Sequence, residues 1–134
     1  MSEENKALVR RYIEEALGKG ELSVIEEIFA PGAVSHTPNG DLIGPEGLKE
    51  PVTMRRNAFP DLTVTIDDQI AEGDKVVTRL TFSGTHRGDY RGVAATGRQA
   101  TWSQIAIARI EDGMIVESWR IPDRLGLRQQ LGAG

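Results

Sequence analysis

Residues 100–123 of this 134-residue chain have the sequence ATWSQIAIARIEDGMIVESWRIPD, which predicts a long β-hairpin. Asp112-Gly113 separates two runs rich in Ile, Val and Trp, and this dipeptide accepts the positive φ angles of a two-residue type I′ turn. If Glu111 pairs with Met114 across the turn, alternation places two indoles, an amide and a carboxylate on one face. The residues of that face are then Trp102, Gln104, Ala106, Trp119, Ile121 and Asp123.

The predicted face has the chemistry of a small-molecule pocket, because it joins an apolar wall to a few convergent polar groups. The alternative is an ordinary sheet face, with Asp123 in a solvated loop after Pro122. On the same register Arg120 belongs to the opposite face, where it would serve the outer surface or a dimer contact.

The composition is that of an ordinary globular domain, and we expect residues 1–134 to form a single domain. Charged residues make up 27% and the net charge is −4, with both signs interspersed, which argues against a nucleic-acid partner. No apolar run is long enough for a membrane span and no secretory leader is visible, so we expect a cytoplasmic protein. The chain has no cysteine and two histidines, which argues against a metal site.

The first half of the chain predicts three helical segments. Residues 5–17 have apolar side chains at helical spacing, with Tyr12 on the apolar face either in core packing or with its hydroxyl in a cavity. A second, short helix follows a capping box that starts at Ser23. Gly44-Pro45 opens a third helix whose buried side carries Leu48, Val52 and Phe59, with a kink or break expected at Pro51.

The second half predicts antiparallel strands, one of which carries Phe82 on its apolar side, and a glycine-rich loop at 84–97 that could cover a cavity. Helices followed by strands predict an α+β fold, a cone in which a strongly curved, mostly antiparallel sheet wraps around the three helical segments. His36 follows a short predicted strand, and either a buried, hydrogen-bonded histidine or a general acid/base fits that position.

Several motifs spread along the chain resemble one family. They are NKALVRRYIEEAL at 5–17, GPEGLK at 44–49, FPDL at 59–62, FSGTHRG at 82–88, RIEDGMIVESW at 109–119 and DRLGLRQQLG at 123–132. Together they resemble the SnoaL-like polyketide cyclases, also called ester cyclases, of the NTF2-like superfamily. That resemblance is specific for the family and weak for the reaction, because this fold hosts many activities.

The resemblance implies an intramolecular aldol closure of an aromatic polyketide ester by acid/base catalysis, without metal or cofactor. It implies Asp123 as the acid/base, with a pKa raised by desolvation against Trp102, and His36 as a polar partner. A small hydrophobic molecule would be the ligand, in a cavity shaped by Trp102, Trp119, Tyr12 and Phe82. Relatives often carry His or Asp at position 106, where this chain has Ala106, and Gln104 is the candidate replacement for the missing donor.

Two alternatives remain open at the level of sequence. The chain could be a non-catalytic module of the same fold that binds an apolar ligand, which Ala106 favours. It could also be a dehydratase or isomerase. Under each, we expect a homodimer through the convex sheet face, where Ile105, Ile107 and Val116 would otherwise be exposed.

Overall fold

A computed structural model describes residues 2–132 of the chain. The elements in order are α1 (Ser2–Arg11), a π-helical turn that continues it (Tyr12–Leu17), α2 (Ser23–Ile28), β1 (Phe29–Thr37), β2 (Gly40–Ile43), α3 (Gly44–Ala58), β3 (Thr63–Glu72), β4 (Lys75–Thr85), β5 (Gln99–Glu111), β6 (Met114–Pro122) and α4 (Arg124–Gln130). Among these residues no helix is long and apolar enough to cross a membrane.

The six strands form one sheet in the order β2-β1-β6-β5-β4-β3. All neighbours are antiparallel except β1 and β6, which are parallel. The N-terminal helices and α3 pack on one face of this sheet, and the core between them is apolar. The predicted α+β fold, with helical segments packed on a curved and mostly antiparallel sheet, is confirmed.

The β5–β6 hairpin has the predicted turn but not the predicted register along its whole length. Asp112 and Gly113 have φ values of 52° and 75°, and Glu111 pairs with Met114 as expected. Beyond that, Ile110 pairs with Ile115 but Arg109 pairs with Glu117, so Val116 is an extra residue in β6. This β-bulge shifts every later pair by one residue.

The shift moves half of the predicted pocket face to the other side of the sheet. Ala106 is opposite Arg120, and Gln104 is opposite Pro122, whereas Trp119 is opposite Ile107 and Ile121 is opposite Ile105. Because a one-residue slip reverses the side-chain direction of a strand, Trp119 and Ile121 join the outer face and Arg120 joins the inner one. The prediction that Arg120 serves the outer surface is therefore wrong.

Two local features of the helices position side chains that matter below. The end of the first helix is under-wound, with a bond of 2.9 Å from Gly18 N to Ile13 O, five residues back. Helix α3 runs through Pro51 without the predicted break. Proline removes one backbone bond there, while burial of Leu48 and Val52 on either side of it holds the helix to the core.

Candidate functional site

An inner cavity lies between the helices and the concave face of the sheet. Its wall is mainly apolar and includes Val9, Ile13, Leu17, Phe29, Leu48 and Leu80. It holds about 550 Å³ of atom-free space including its opening to solvent, of which the centre of a water molecule can reach about 50 Å³. A ligand larger than a few waters therefore requires side chains at the opening to move.

Six polar side chains interrupt the apolar wall. Ser35 and Ser118 hydrogen-bond to each other over 3.0 Å, and we call the other four the donor cluster. Tyr12 comes from the π-helical turn, Arg55 from α3, Gln104 from β5 and Arg120 from β6. Among residues 2–132, no protein group hydrogen-bonds to any of these four side chains. Within the described residues, the one fully buried side-chain N or O atom without a partner is His86 Nε2, so the polar atoms of the donor cluster face open space in the cavity, where a ligand can bind them.

The electrostatics of the donor cluster are strongly positive. Burial, followed by repulsion from Arg120, lowers the pKa of Arg55 to about 10, which still leaves the guanidinium charged at neutral pH. Burial also lowers the pKa of Arg120 and raises the pKa of Tyr12, whose hydroxyl therefore stays protonated as a donor. The cavity wall includes no carboxylate and no histidine from the described part of the chain. The site thus favours negative charge on an oxygen atom.

Arg55 packs over a pair of stacked aromatic rings behind the cavity wall. Its guanidinium carbon lies 5.0 Å from the centre of the Phe82 ring, and Phe82 stacks on Trp102 with the ring centres 5.3 Å apart. Both aromatic residues are buried, and neither lines the cavity. The predicted binding residues Trp102 and Phe82 therefore support the site from behind, whereas Tyr12 and Gln104 line it.

His36 and Trp119 lie together, but on the outer side of the sheet. Their rings stack with centres 5.4 Å apart. His36 Nδ1 is 2.9 Å from an oxygen of Asp41 and Nε2 is 2.8 Å from an oxygen of Glu117. The hydrogen bond to Glu117, then that to Asp41, raises the pKa of His36. Trp119 is also among the residues that line the cavity, whereas His36, Asp41 and Glu117 are not.

Asp123 is the N-cap of α4. Its Oδ1 accepts a hydrogen bond of 2.8 Å from Gly126 N, and its own N–H donates to Ser103 O over 2.9 Å. The residue is exposed and does not line the cavity. The desolvation against Trp102 that we expected is therefore absent, and the predicted acid/base role of Asp123 stays a prediction.

Comparison with known proteins gives the family. The model of the SnoaL-like polyketide cyclase family matches residues 7–131. The chain belongs to the SnoaL-like polyketide cyclase family. It is 36% identical to the aklanonic acid methyl ester cyclase DauD of Streptomyces sp. strain C5, over 93% of this chain and 80% of that protein. The aklanonic acid methyl ester cyclase DnrD of Streptomyces peucetius is also 36% identical, over 93% of this chain and 88% of that protein.

A solved structure of a similar protein has the same fold. TsrD from Streptomyces laurentii superposes with a TM-score of 0.89 at 32% identity, over 98% of this chain and 97% of that one. The inner cavity, with its mainly apolar wall and its donor cluster, is the candidate site of this chain. No group of three or more His, Cys, Asp or Glu side chains within residues 2–132 is arranged to hold a metal ion.

The structure brings together one pair that the sequence analysis had separated. Ala106 and Arg120 are direct cross-strand neighbours, and both line the cavity. The small methyl group of Ala106 leaves room beside it for the long side chain of Arg120. A guanidinium is therefore present next to position 106, where the alanine itself offers no donor.

Arg55 is the functional candidate that the sequence analysis missed. Its position could have been found, because Leu48, Val52, Arg55 and Phe59 follow one another at intervals of four, three and four residues. That spacing places all four on one face of a helix. An arginine within a buried apolar stripe either packs its methylene groups in the core with the guanidinium in solvent, or directs the guanidinium into a cavity. Here the Arg55 side chain lines the cavity.

Proposed function

We propose that the chain is a cyclase that closes a carbon ring on an apolar polyketide-like carbonyl compound, through an enolate held in the inner cavity. One observation carries the proposal: the donor cluster meets no protein acceptor among the described residues, in a mainly apolar cavity. Donors fixed around the place where negative charge develops stabilise it without reorganisation, and this stabilisation commonly lowers a reaction barrier more than any other single effect.

The reaction is an isomerisation. A base removes a proton from a carbon next to a carbonyl group, and the electron pair moves onto the carbonyl oxygen. The enolate carbon then attacks a second carbonyl carbon of the same molecule, forming the new C–C bond, and the resulting alkoxide takes up the proton. Arg55, Tyr12 and Gln104 would donate to the enolate oxygen in this scheme.

Asp123 is the proposed acid/base, and the support for it is the family resemblance. It lies three residues after Arg120, at the end of β6, where its carboxylate caps α4. Glu50 and Asp89 are exposed carboxylates that line a second space next to Arg120. Replacing each by its amide distinguishes the three as bases, and we assign no step to His36.

Replacing Gln104 by Leu tests the enolate proposal on aklanonic acid methyl ester, the substrate named for the curated relatives. Loss of one such donor costs about 2.7 to 4 kcal/mol of barrier, which is a fall of roughly 100-fold or more in turnover. Ser103→Ala is the matched control, because Ser103 is the exposed neighbour of Gln104 in β5. Ring closure is measured by chromatography, as the appearance of an isomer with the mass of the substrate. If the Gln104 variant turns over as fast as the wild type, Gln104 is not a donor to the enolate oxygen.

A non-catalytic ligand-binding role is the second candidate function. It is favoured by the absence of a carboxylate from the cavity wall among the described residues. Tight binding of the ester with no ring closure, in wild type and at every pH tested, would establish this alternative.

The homodimer also belongs to the proposal. Ile105 and Ile121 are opposite each other on the outer face and are 49% and 70% exposed, which supports an interface there. Light scattering tests it, and a monomer at high protein concentration would contradict it. Residence in the cytoplasm remains a prediction from the sequence.

A further inference from the structure

Arg120 stands at the junction of two spaces. It lines the inner cavity, and it also lines an outer space of about 870 Å³ of atom-free volume including open solvent, which we call the vestibule. Arg91, Glu50 and Asp89 line the vestibule as well, and Arg91 and Glu50 are exposed to solvent. Arg120 is half-buried, so it is the charged group that the trailing end of a ligand meets on leaving the cavity.

The surroundings of Arg120 and Arg55 differ from those of the three ion-paired arginines Arg11, Arg79 and Arg109. Arg109 contacts Glu111 and Glu117, Arg11 contacts Glu15 and Glu27, and Arg79 lies 3.8 Å from Asp67. Within residues 2–132, Arg55 and Arg120 contact no carboxylate. Burial and the positive charges nearby lower the pKa of both guanidiniums.

Charge balance within the cavity sets the requirement on the ligand. The two guanidiniums carry two positive charges, whereas an enolate intermediate supplies one negative charge. A neutral ester or ketone accepts hydrogen bonds but neutralises neither guanidinium. Glu50 and Asp89 also line the vestibule, but neither forms an ion pair with Arg120. One positive charge at the junction with the vestibule would thus remain without a direct partner throughout the reaction, in a place where water screens it only partly.

We propose that the substrate carries a permanently ionised oxygen group, a carboxylate or an acidic phenolate, which binds Arg120 where the cavity meets the vestibule. This inference rests on the proposed function and names its substrate class. The apolar body of the substrate occupies the cavity with its reacting carbonyl towards Arg55, Tyr12 and Gln104, and its anionic end faces outward. Ligands of this class have one more negative charge than a neutral ester of the same skeleton.

Matched aromatic probes test the proposal by binding alone. The probes are anthraquinone-2-carboxylate, its methyl ester and 2-hydroxyanthraquinone, with dissociation constants measured by calorimetry on the whole protein. We expect wild type to bind the carboxylate at least about 10-fold tighter than the ester, as a charge-assisted hydrogen bond provides. The phenol should bind as its phenolate, with its visible ionisation shifted to lower pH in the bound state.

Variants then assign the preference to Arg120. Arg120→Gln should remove the carboxylate preference, and Arg120→Lys should keep most of it because the charge remains. Arg79→Gln is the control, since Arg79 is exposed on β4 and pairs with Asp67. Unfolding curves of each variant show whether a lost preference reflects a lost fold, and the Lys variant provides the test if the Gln variant does not fold.

The outcomes separate cleanly. If the protein prefers the carboxylate probe and the preference depends on Arg120, the substrate's anionic group is a carboxylate. If it prefers the phenolate probe alone, the anionic group is a phenolate. Equal binding of all three probes, or a preference that survives in Arg120→Gln, overturns the inference. If the protein cyclises a neutral ester but shows no preference for anions, the inference fails and the proposed function stands. If it prefers anions but closes the ring of no substrate, the proposed function fails and the inference stands.

Discussion

Replacing Asp123 by Ala and by Asn separates its structural role from its predicted chemical one. Its carboxylate accepts a hydrogen bond from the N–H of Gly126, the third residue of α4. This N–H is one of those at the start of a helix that have no acceptor within the helix. Asparagine offers an oxygen in the same place, whereas alanine offers none. We therefore expect Asp123→Ala to be destabilised by about 1 kcal/mol and Asp123→Asn by a few tenths at most.

The expected change in melting temperature follows from the length of the chain. An unfolding entropy of about 2.1 cal/mol/K per residue over 134 residues converts 1 kcal/mol into about 3 to 4 °C. Thermal unfolding by circular dichroism measures this directly. Equal losses of stability in the two variants would refute the capping role, since the Asn side chain preserves the acceptor.

The same two proteins test the acid/base proposal. Asparagine cannot exchange a proton, so a loss of about 100-fold or more in ring closure by a stable Asp123→Asn protein would establish Asp123 as acid/base. Full activity in that protein would contradict the proposal and direct attention to Glu50 and Asp89, the carboxylates at the vestibule.

Two further predictions concern stability. Glu117 and Asp41 raise the pKa of His36 above 6.5, and His36 lowers the pKa of Glu117 below 4.5. Between pH 4.5 and 6.5 both groups are therefore charged and their attraction stabilises the fold. This stabilisation is lost as the pH rises through the raised pKa of His36. His36→Gln should thus lower the melting temperature more at about pH 5.5 than at about pH 9, and an equal loss at both would disprove the coupling. Gly88→Ala would bring a Cβ into steric overlap with Asn57 O, and we expect a loss of about 1 to 3 kcal/mol in the free energy of unfolding by denaturant. A variant as stable as the wild type would show that the loop shifts freely.

Much of the fold could be predicted because its signals are local. The Asp112-Gly113 turn, the helical apolar stripe at 5–17 and the alternation in β3 and β4 each act over a few residues, and all appear in the structure. The hairpin register failed at one point only. The segment Ile115-Val116-Glu117 contains no glycine that would mark a β-bulge, and the pairing of β6 with β1 on its other side, which is also irregular between Ile115 and Glu117, cannot be read from a hairpin pattern.

The site was predicted less well because it depends on that register. Because β6 contains one extra residue, Arg120 lies on the inner face where Trp119 was predicted. The inner face therefore carries a positive charge at that point and not an aromatic ring. The position of Asp123 was misjudged for a related reason. The sequence shows an acid after a strand, and only the packing of α4 reveals that its carboxylate faces Gly126.

The structure of the protein with anthraquinone-2-carboxylate bound tests the central claim most directly. We expect aromatic rings against Leu80 and Tyr12, with the carboxylate within hydrogen-bond distance of Arg120 at about 2.7 to 2.9 Å. A ligand bound on the outer face, beside His36 and Trp119, would contradict the claim. So would a ligand in the inner cavity whose carboxylate faces away from both Arg120 and Arg55.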